Sequence, residues 1–220
     1  MRTFCWLTPR RYWMLLTYHE NLDFLRRMLE SGALPRGQFL SLVGRPPAEI
    51  GAMAAEEGET GLAVRYALVA LNPFALVGAD YSQHNEDGEL DLHNEETDEG
   101  TLSEHWLHDR ARMLSARIAV NTTDSNLAAG GYFRDIATNT VLGGNLFGVS
   151  RRTVFGGEGS DNIEGGFNDD RLYGGAGGDT LDGGRGADYL DGGTGAYRLL
   201  GDSGADELMG GAGEDILIGG

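Results

Sequence analysis

Aspartate recurs at intervals of nine residues in the last third of the chain. From residue 156, seven successive nonapeptides are GGEGSDNIE, GGFNDDRLY, GGAGGDTLD, GGRGADYLD, GGTGAYRLL, GDSGADELM and GGAGEDILI. The sixth residue is tyrosine in the fifth unit, Tyr197, and aspartate in the others: Asp161, Asp170, Asp179, Asp188, Asp206 and Asp215. Carboxylates stacked at this interval repel one another unless a cation lies between them.

Calcium is the cation that suits these residues best. Ca²⁺ takes six to eight hard oxygen ligands in a flexible loop, which carboxylates and turn carbonyls can supply. Mg²⁺ requires stricter octahedral geometry and gives up its water reluctantly. Softer metals would need imidazole or thiolate ligands, and residues 156–220 contain no histidine or cysteine. The pattern therefore predicts repeated Ca²⁺ sites.

A second regularity indicates what holds these turns in place. The glycine-rich first four residues of each unit favour a tight turn, and the last three form a short strand with its eighth position facing inward. One unit cannot bury that side chain, but stacked units can, at a spacing of about 4.8 Å. Two units then form a coil of 18 residues, and the array is a parallel β-roll. Position eight is always a large aliphatic residue: Ile163, Leu172, Leu181, Leu190, Leu199, Leu208 and Leu217.

These units resemble the GGxGxDxUx nonapeptide of RTX (hemolysin-type) calcium-binding proteins, over residues 156–220. The resemblance implies that each ion lies between the turn of one repeat and the turn two repeats later. In that family the first turn supplies its aspartate and the carbonyls of positions one and three. The second turn supplies its aspartate and the carbonyls of positions two and four.

Applied to this chain, the family pattern implies three complete sites. The site of repeats one and three consists of Gly156, Glu158, Asp161, Gly175, Gly177 and Asp179. The site of repeats two and four consists of Gly165, Phe167, Asp170, Gly184, Gly186 and Asp188. The site of repeats four and six consists of Gly183, Arg185, Asp188, Asp202, Gly204 and Asp206. Two further pairs require repeat five, where Tyr197 replaces aspartate, so we expect them to be impaired. Asp215 belongs to one of these pairs and is also a candidate ligand. Asn168 and Asp202 replace glycines, but asparagine and aspartate tolerate left-handed backbone.

The first 150 residues are predicted to be a mostly helical module without an assigned activity. Helical spacing or start and stop signals indicate helices at residues 8–31, 34–43, 46–58, 62–71 and 101–118. Residues 80–100 are an acidic loop, and residues 132–142 are expected to form a hairpin that leads into the first roll strand at Val154 and Phe155. The predicted architecture is α+β and multidomain, with the helical module at 1–150 and the roll at 151–220.

Composition excludes several classes of function. The net charge is −17 and every cation is arginine, so binding to nucleic acid or anionic lipid by bulk electrostatics is not expected. A single cysteine, Cys5, rules out an intramolecular disulfide framework. No apolar run is long enough to span a membrane. The first 18 residues do not form a cleavable signal peptide.

The helix predicted at residues 101–118 contains a possible zinc site. His105 and His108 are separated by three residues on a predicted helix, beside Glu104 and Asp109, and could hold Zn²⁺. They lie opposite the apolar face, which favours a solvated polar surface instead. No nucleophile elbow, metalloprotease motif or phosphate-binding loop is present. No catalytic residue is therefore predicted.

The resemblance implies a secreted, extracellular protein that leaves the cell through a type I exporter and folds its roll on meeting calcium. Residues 65–81 and 109–114 are also similar to regions that precede the repeats in large secreted RTX proteins. We expect a cap or a partner to cover the last coil, because the sequence ends within the array. The alternatives are a toxin or hydrolase fragment, in which the roll only aids export and folding, and an adhesion or matrix protein.

Overall fold

The computed structural model describes residues 39–86, 88–94, 97, 100–123, 131–143 and 151–220. The predicted architecture, a helical segment followed by a parallel β-roll, is confirmed. In chain order the elements are β1 (Phe39–Ser41), α1 (Pro47–Ala54), α2 (Glu59–Val69), β2 (Phe74–Leu76), a short 3-10 helix (Ser82–His84), α3 (Glu104–Thr123), β3 (Tyr132–Asp135), β4 (Thr140–Leu142), β5 (Arg152–Phe155), β6 (Asn162–Phe167), β7 (Arg171–Gly177), β8 (Thr180–Arg185), β9 (Tyr189–Gly195), β10 (Arg198–Ser203), β11 (Glu207–Met209) and β12 (Ile216–Ile218).

The roll consists of two parallel sheets that alternate along the chain. Strands β6, β8, β10 and β12 form a four-stranded sheet, and β5, β7, β9 and β11 form the other, which β3 and β4 extend to six strands. Neighbouring strands carry the same repeat position 18 residues apart, as in the pairing of Leu172 with Leu190 and of Leu181 with Leu199. The 18-residue coil is therefore confirmed, and the solenoid makes about four turns over residues 132–218.

Aliphatic side chains at position eight fill the space between the two sheets. Ile163, Leu172, Leu181, Leu190 and Leu199 are 0–2% exposed and form one cluster, with Val154 beside them. Each coil thus shields the apolar side chain of the next, as expected for stacked repeats. On the last coil Leu217 is 46% exposed, since no described residue lies over it.

The helices follow the predicted segments with small changes at their ends. Helix α1 begins at Pro47 and ends at Ala54, four residues earlier than expected. Helix α2 is buried on most sides, as expected because residues 62–71 are apolar nearly all round the helix. The apolar face predicted for α3 consists of Leu107, Ala111, Leu114 and Ile118. The first three are buried and Ile118 is half-buried. The hairpin also forms, since β3 and β4 pair in antiparallel orientation.

One predicted helix is wrong over its described part. Residues 34–43 were expected to be helical, but Phe39–Ser41 is the strand β1. The backbone N–H of the next residue, Leu42, donates to the carbonyl of Pro73 at 2.9 Å, and its side chain is fully buried. A hydrogen-bond partner distant in sequence therefore replaces the partner four residues back that a helix would use. The helix predicted at 8–31 lies outside the described residues.

Residues 41–220 form one compact unit, in which α3 packs on the six-stranded sheet of the roll. The outward-facing rings of Phe155 and Tyr173 stack with centroids 5.0 Å apart, and Trp106 of α3 meets Phe155 edge-on at 6.1 Å. The guanidinium of Arg110 lies 4.7 Å from the Phe155 ring centroid and donates to the Leu68 carbonyl at the end of α2. Arg110 therefore joins both long helices to the roll.

Candidate calcium sites

The position-six aspartates form two ladders, one along each edge of the roll. One carboxylate oxygen, Oδ1, accepts a hydrogen bond from the backbone N–H of the residue 18 positions earlier in five of them: Asp170, Asp179, Asp188, Asp206 and Asp215. Asp161 accepts from the Gly157 N–H through its other oxygen, Oδ2, at 2.9 Å. Asp179 accepts from Asp161 at 2.8 Å, Asp188 from Asp170 at 2.7 Å, and Asp206 from Asp188 at 3.0 Å. These ladder bonds hold the five carboxylates in the same orientation with respect to their turns.

The second carboxylate oxygen, Oδ2, has no such partner at four aspartates. These oxygens are buried and accept no hydrogen bond from any residue that the structure describes: they belong to Asp170, Asp179, Asp188 and Asp206. A buried oxygen without a partner costs about 1–3 kcal/mol. A methyl group built on Gly183 would lie 2.6 Å from Asp188 Oδ2, so this oxygen faces the first residue of its own turn. A hard cation at the turns would provide the missing partner.

Burial makes the negative charge of these carboxylates costly. It raises the pKa of Asp170 and the pKa of Asp179 to about 6 in each case, although backbone hydrogen bonds to their oxygens act in the opposite direction. The pKa of Asp188 is also raised, first by burial and then by the negative charges of Asp206, Asp169 and Asp182. A divalent cation would offset both the burial and the repulsion, so the donor set fits Ca²⁺.

The turns of each predicted pair lie next to each other, one coil apart. For repeats two and four, Phe167 is aligned with Arg185, whose guanidinium lies 5.5 Å from the Phe167 ring centroid. For repeats four and six, Gly184 is aligned with Asp202. For repeats one and three, Glu158 forms a bridge with Ala176. Which carbonyl oxygens bind an ion remains a prediction.

The two substituted glycine positions keep the glycine backbone conformation. Asn168 has φ 79° and Asp202 has φ 62°, both in the left-handed region that glycine adopts at the equivalent turns. The side chains of asparagine and aspartate tolerate this conformation better than most. The two residues therefore keep the positive φ of the glycines they replace, at smaller angles than the 122° of Gly159 or the 93° of Gly184 at the equivalent positions.

A buried charge cluster between α3 and the roll was missed by the sequence analysis. The Asp109 carboxylate is fully buried, although we placed it on the polar face of the helix. It accepts hydrogen bonds from Arg171 and from the Tyr173 hydroxyl, both at 2.9 Å, and pairs with Arg112 at 3.2 Å. The sequence did contain one indication of this cluster. Tyr173 is a large aromatic residue at an outward-facing strand position, which indicates that another element covers this face of the sheet.

The histidines considered for zinc do not form a metal site with their neighbours. His105 packs its ring against Tyr189 at 4.5 Å, and His108 lies 3.3 Å from Asp109. Among the described residues, no three histidine, cysteine, aspartate or glutamate side chains are grouped to hold a metal. The zinc alternative has no support, and a calcium site would need backbone carbonyls beside its two aspartates.

Asp191 forms a second buried contact between α3 and the roll. The hydroxyl of Ser103, which precedes α3, donates to Asp191 Oδ2 at 2.6 Å and accepts from the Trp106 backbone N–H at 3.2 Å. Burial raises the pKa of Asp191 to about 6, against the opposing effects of the Ser103 hydrogen bond, His93, His105 and Tyr189. Ser103 thus caps the helix and attaches it to β9.

We expect the Asp191→Asn variant to be more stable than wild type at neutral pH. A folded-state pKa raised from about 3.9 to about 6 favours folding when the carboxyl is protonated, and this contribution is lost as pH rises through 6. The free energy of unfolding should rise by about 3 kcal/mol at pH 8 and by about half of that at pH 5. Urea unfolding at both pH values measures this difference. A difference that does not change with pH would contradict the assignment.

Comparison with known proteins agrees with the geometry of the turns. The family model of the RTX calcium-binding nonapeptide repeat (4 copies) matches residues 153–181, 165–199 and 191–220. No curated protein and no solved structure matches the chain significantly. None of the described helices combines the length and apolar character needed to cross a membrane. Residues 153–220 are therefore an array of RTX calcium-binding nonapeptide repeats.

Proposed function

We propose that this protein binds three calcium ions in its roll and that binding drives the roll to fold. The observation that carries the proposal is the set of buried Oδ2 atoms of Asp170, Asp179, Asp188 and Asp206, which face the turns without a hydrogen-bond partner in the described structure. Their stacking at intervals of 18 residues supports sites between repeats one and three, two and four, and four and six.

The proposed ligands are the aspartates and the turn carbonyls of the three pairs. Asp188 belongs to two of them, because repeat four is the second turn of one pair and the first turn of the next. The sites on that edge therefore share a carboxylate, whereas the site of Asp161 and Asp179 is alone on the other edge. In this arrangement the two sites on the shared edge bind calcium interdependently.

The excess of acidic residues in the roll supports calcium-driven folding. Residues 156–220 contain 14 acidic side chains and 3 arginines, and folding stacks several of these acids at close range. Without cations the repulsion and the burial of carboxylates oppose folding, so much of the binding energy becomes folding energy.

Folding that depends on calcium binding suits a secreted protein. We propose that the roll stays unfolded during passage through a type I exporter and folds in the calcium-rich extracellular space. In this proposal residues 1–150 are the helical module and residues 151–220 the calcium-binding roll. The match to RTX repeats supports this assignment, since proteins with such repeats are typically secreted.

Titration of the full chain with Ca²⁺ is expected to give three bound ions and a cooperative gain of β-structure. Isothermal calorimetry measures the number of ions, and far-ultraviolet circular dichroism measures folding. Mg²⁺ serves as the control, because its preference for octahedral geometry and retained water suits these turns poorly. Five equivalent ions would show that repeat five is not impaired. No binding, or an equal response to Mg²⁺, would contradict the proposed function.

A further inference from the structure

The phenol ring of Tyr197 fills the inside of the turn of repeat five, where the other repeats have an aspartate. Its side chain is 2% exposed and belongs to the apolar cluster of the roll. A methyl group built on Gly192, the first residue of the turn, would lie 2.7 Å from a carbon of the Tyr197 ring. One built on Gly195, the fourth residue, would lie 3.1 Å from the hydroxyl oxygen. The phenol therefore extends across the inside of its own turn.

The hydroxyl of Tyr197 also reaches the previous coil on the same edge. It donates a hydrogen bond to the Gly175 carbonyl of repeat three, with 3.0 Å between the oxygens. The Tyr197 backbone N–H donates to Asp215 Oδ1 of repeat seven, also at 3.0 Å. Repeat five thus keeps the ladder bond to repeat seven, and the hydroxyl bond to Gly175 connects it to repeat three, where the carboxylate is missing.

We propose that Tyr197 replaces a calcium ion: its phenol joins the turns of repeats three and five without a metal. The inference rests on the proposed function, because it concerns the pair of turns in which an ion would otherwise lie. An ion there would join the two turns through oxygen ligands from both. The phenol fills the inside of the turn and makes one direct bond between the same turns, so ion and phenol exclude each other.

The phenol leaves the neighbouring site of repeats one and three intact. The Gly175 carbonyl oxygen lies on the side of repeat five, 2.2 Å from a methyl group built on Gly193. The Tyr197 hydroxyl therefore bonds to it on the side away from the site of repeats one and three. The edge of repeats one, three, five and seven then has one ion at its beginning and a metal-independent contact in its middle.

Two substitutions at this position separate the roles of the phenol. Tyr197→Phe keeps the ring and removes the hydrogen bond, so three ions should still bind while the folding equilibrium constant at saturating calcium falls about five-fold. Tyr197→Asp empties the turn and restores the carboxylate for two pairs of turns, so the number of bound ions should rise from three to five. Tyr132→Phe, on β3, controls for the loss of a phenol hydroxyl elsewhere.

Bound calcium is counted by calorimetry on the full chain, and the folding constant is obtained from urea unfolding at saturating Ca²⁺. The proposal is overturned if Tyr197→Asp folds and binds three ions, or if Tyr197→Phe unfolds no more easily than Tyr132→Phe. It is also overturned if Tyr197→Phe binds additional ions. If wild type binds no calcium, the proposed function fails first and this inference with it. If Tyr197→Asp does not fold, the comparison of Tyr197→Phe with Tyr132→Phe decides whether the proposal stands.

Discussion

Asp188→Asn is expected to reduce the number of bound calcium ions from three to one. Asp188 belongs to the proposed sites of repeats two and four and of repeats four and six, so one change removes a carboxylate from both. The asparagine carbonyl oxygen can still accept the Asp170 N–H, which Asp188 Oδ1 accepts at 2.7 Å. The ladder should therefore survive, and the loss of binding would come from the missing charge.

Asp215→Asn is the matched control for this experiment. Asp215 has the same repeat position and accepts the equivalent hydrogen bond, from the Tyr197 N–H, but its only partner turn has no aspartate. The variant should bind three ions, as wild type does. Asp161→Asn, which affects one site, should bind two. Calorimetric titration compares the variants, and equal losses for Asp188→Asn and Asp215→Asn would contradict the assignment of sites.

Asp109→Asn is expected to destabilise the folded protein by about 3 kcal/mol. Asp109 is fully buried and accepts from both Arg171 and the Tyr173 hydroxyl at 2.9 Å. These groups and Arg112 hold the pKa of Asp109 below its usual value, although burial acts to raise it. Removal of one member of a buried ion pair leaves the other charge uncompensated, which costs more than the loss of a surface pair.

The cost of Asp109→Asn should appear in both the helical and the β signals. The carboxylate joins α3 to the six-stranded sheet, so urea unfolding at saturating calcium should show one transition, shifted to lower urea. Glu104→Gln removes an exposed charge from the first turn of the same helix, where it interacts with the helix dipole, and should cost no more than about 1 kcal/mol. A similar small effect of Asp109→Asn would show that this contact does not join the module to the roll.

Several properties of the roll were predictable because they depend on contacts that repeat at constant spacing. A glycine-rich turn, an aspartate and an inward aliphatic residue recur every nine residues, and only stacked coils can bury that aliphatic residue. The period, the 18-residue coil and the burial of Leu172, Leu181 and Leu190 follow from this pattern alone. Tyr197 is the one departure from aspartate at position six, and its effect on calcium binding stays a prediction.

Contacts between distant segments were not predictable in the same way. Residues 34–43 have helical periodicity, yet Leu42 bonds to Pro73, and Phe39–Ser41 is extended. Asp109 was assigned to a solvated helix face, because nothing in its own segment shows that Arg171 and Tyr173, more than 60 residues later, cover it. Tertiary packing determines such hydrogen-bond partners, and it overrides the local preference for helix or for a solvated surface.

The sequence by itself therefore determined the roll, its repeat positions and the chemistry of its turns, since each repeat interacts mainly with its neighbours in the stack. Only the tertiary structure decided which sheet face α3 covers and which contacts the phenol of Tyr197 makes. The outer positions of the four-stranded sheet remain exposed or half-buried, whereas Phe155, Tyr173 and Asp191 on the other sheet are buried by the helical segment. Both sheets arise from the same nonapeptide, and packing against one non-repeating helix makes them different.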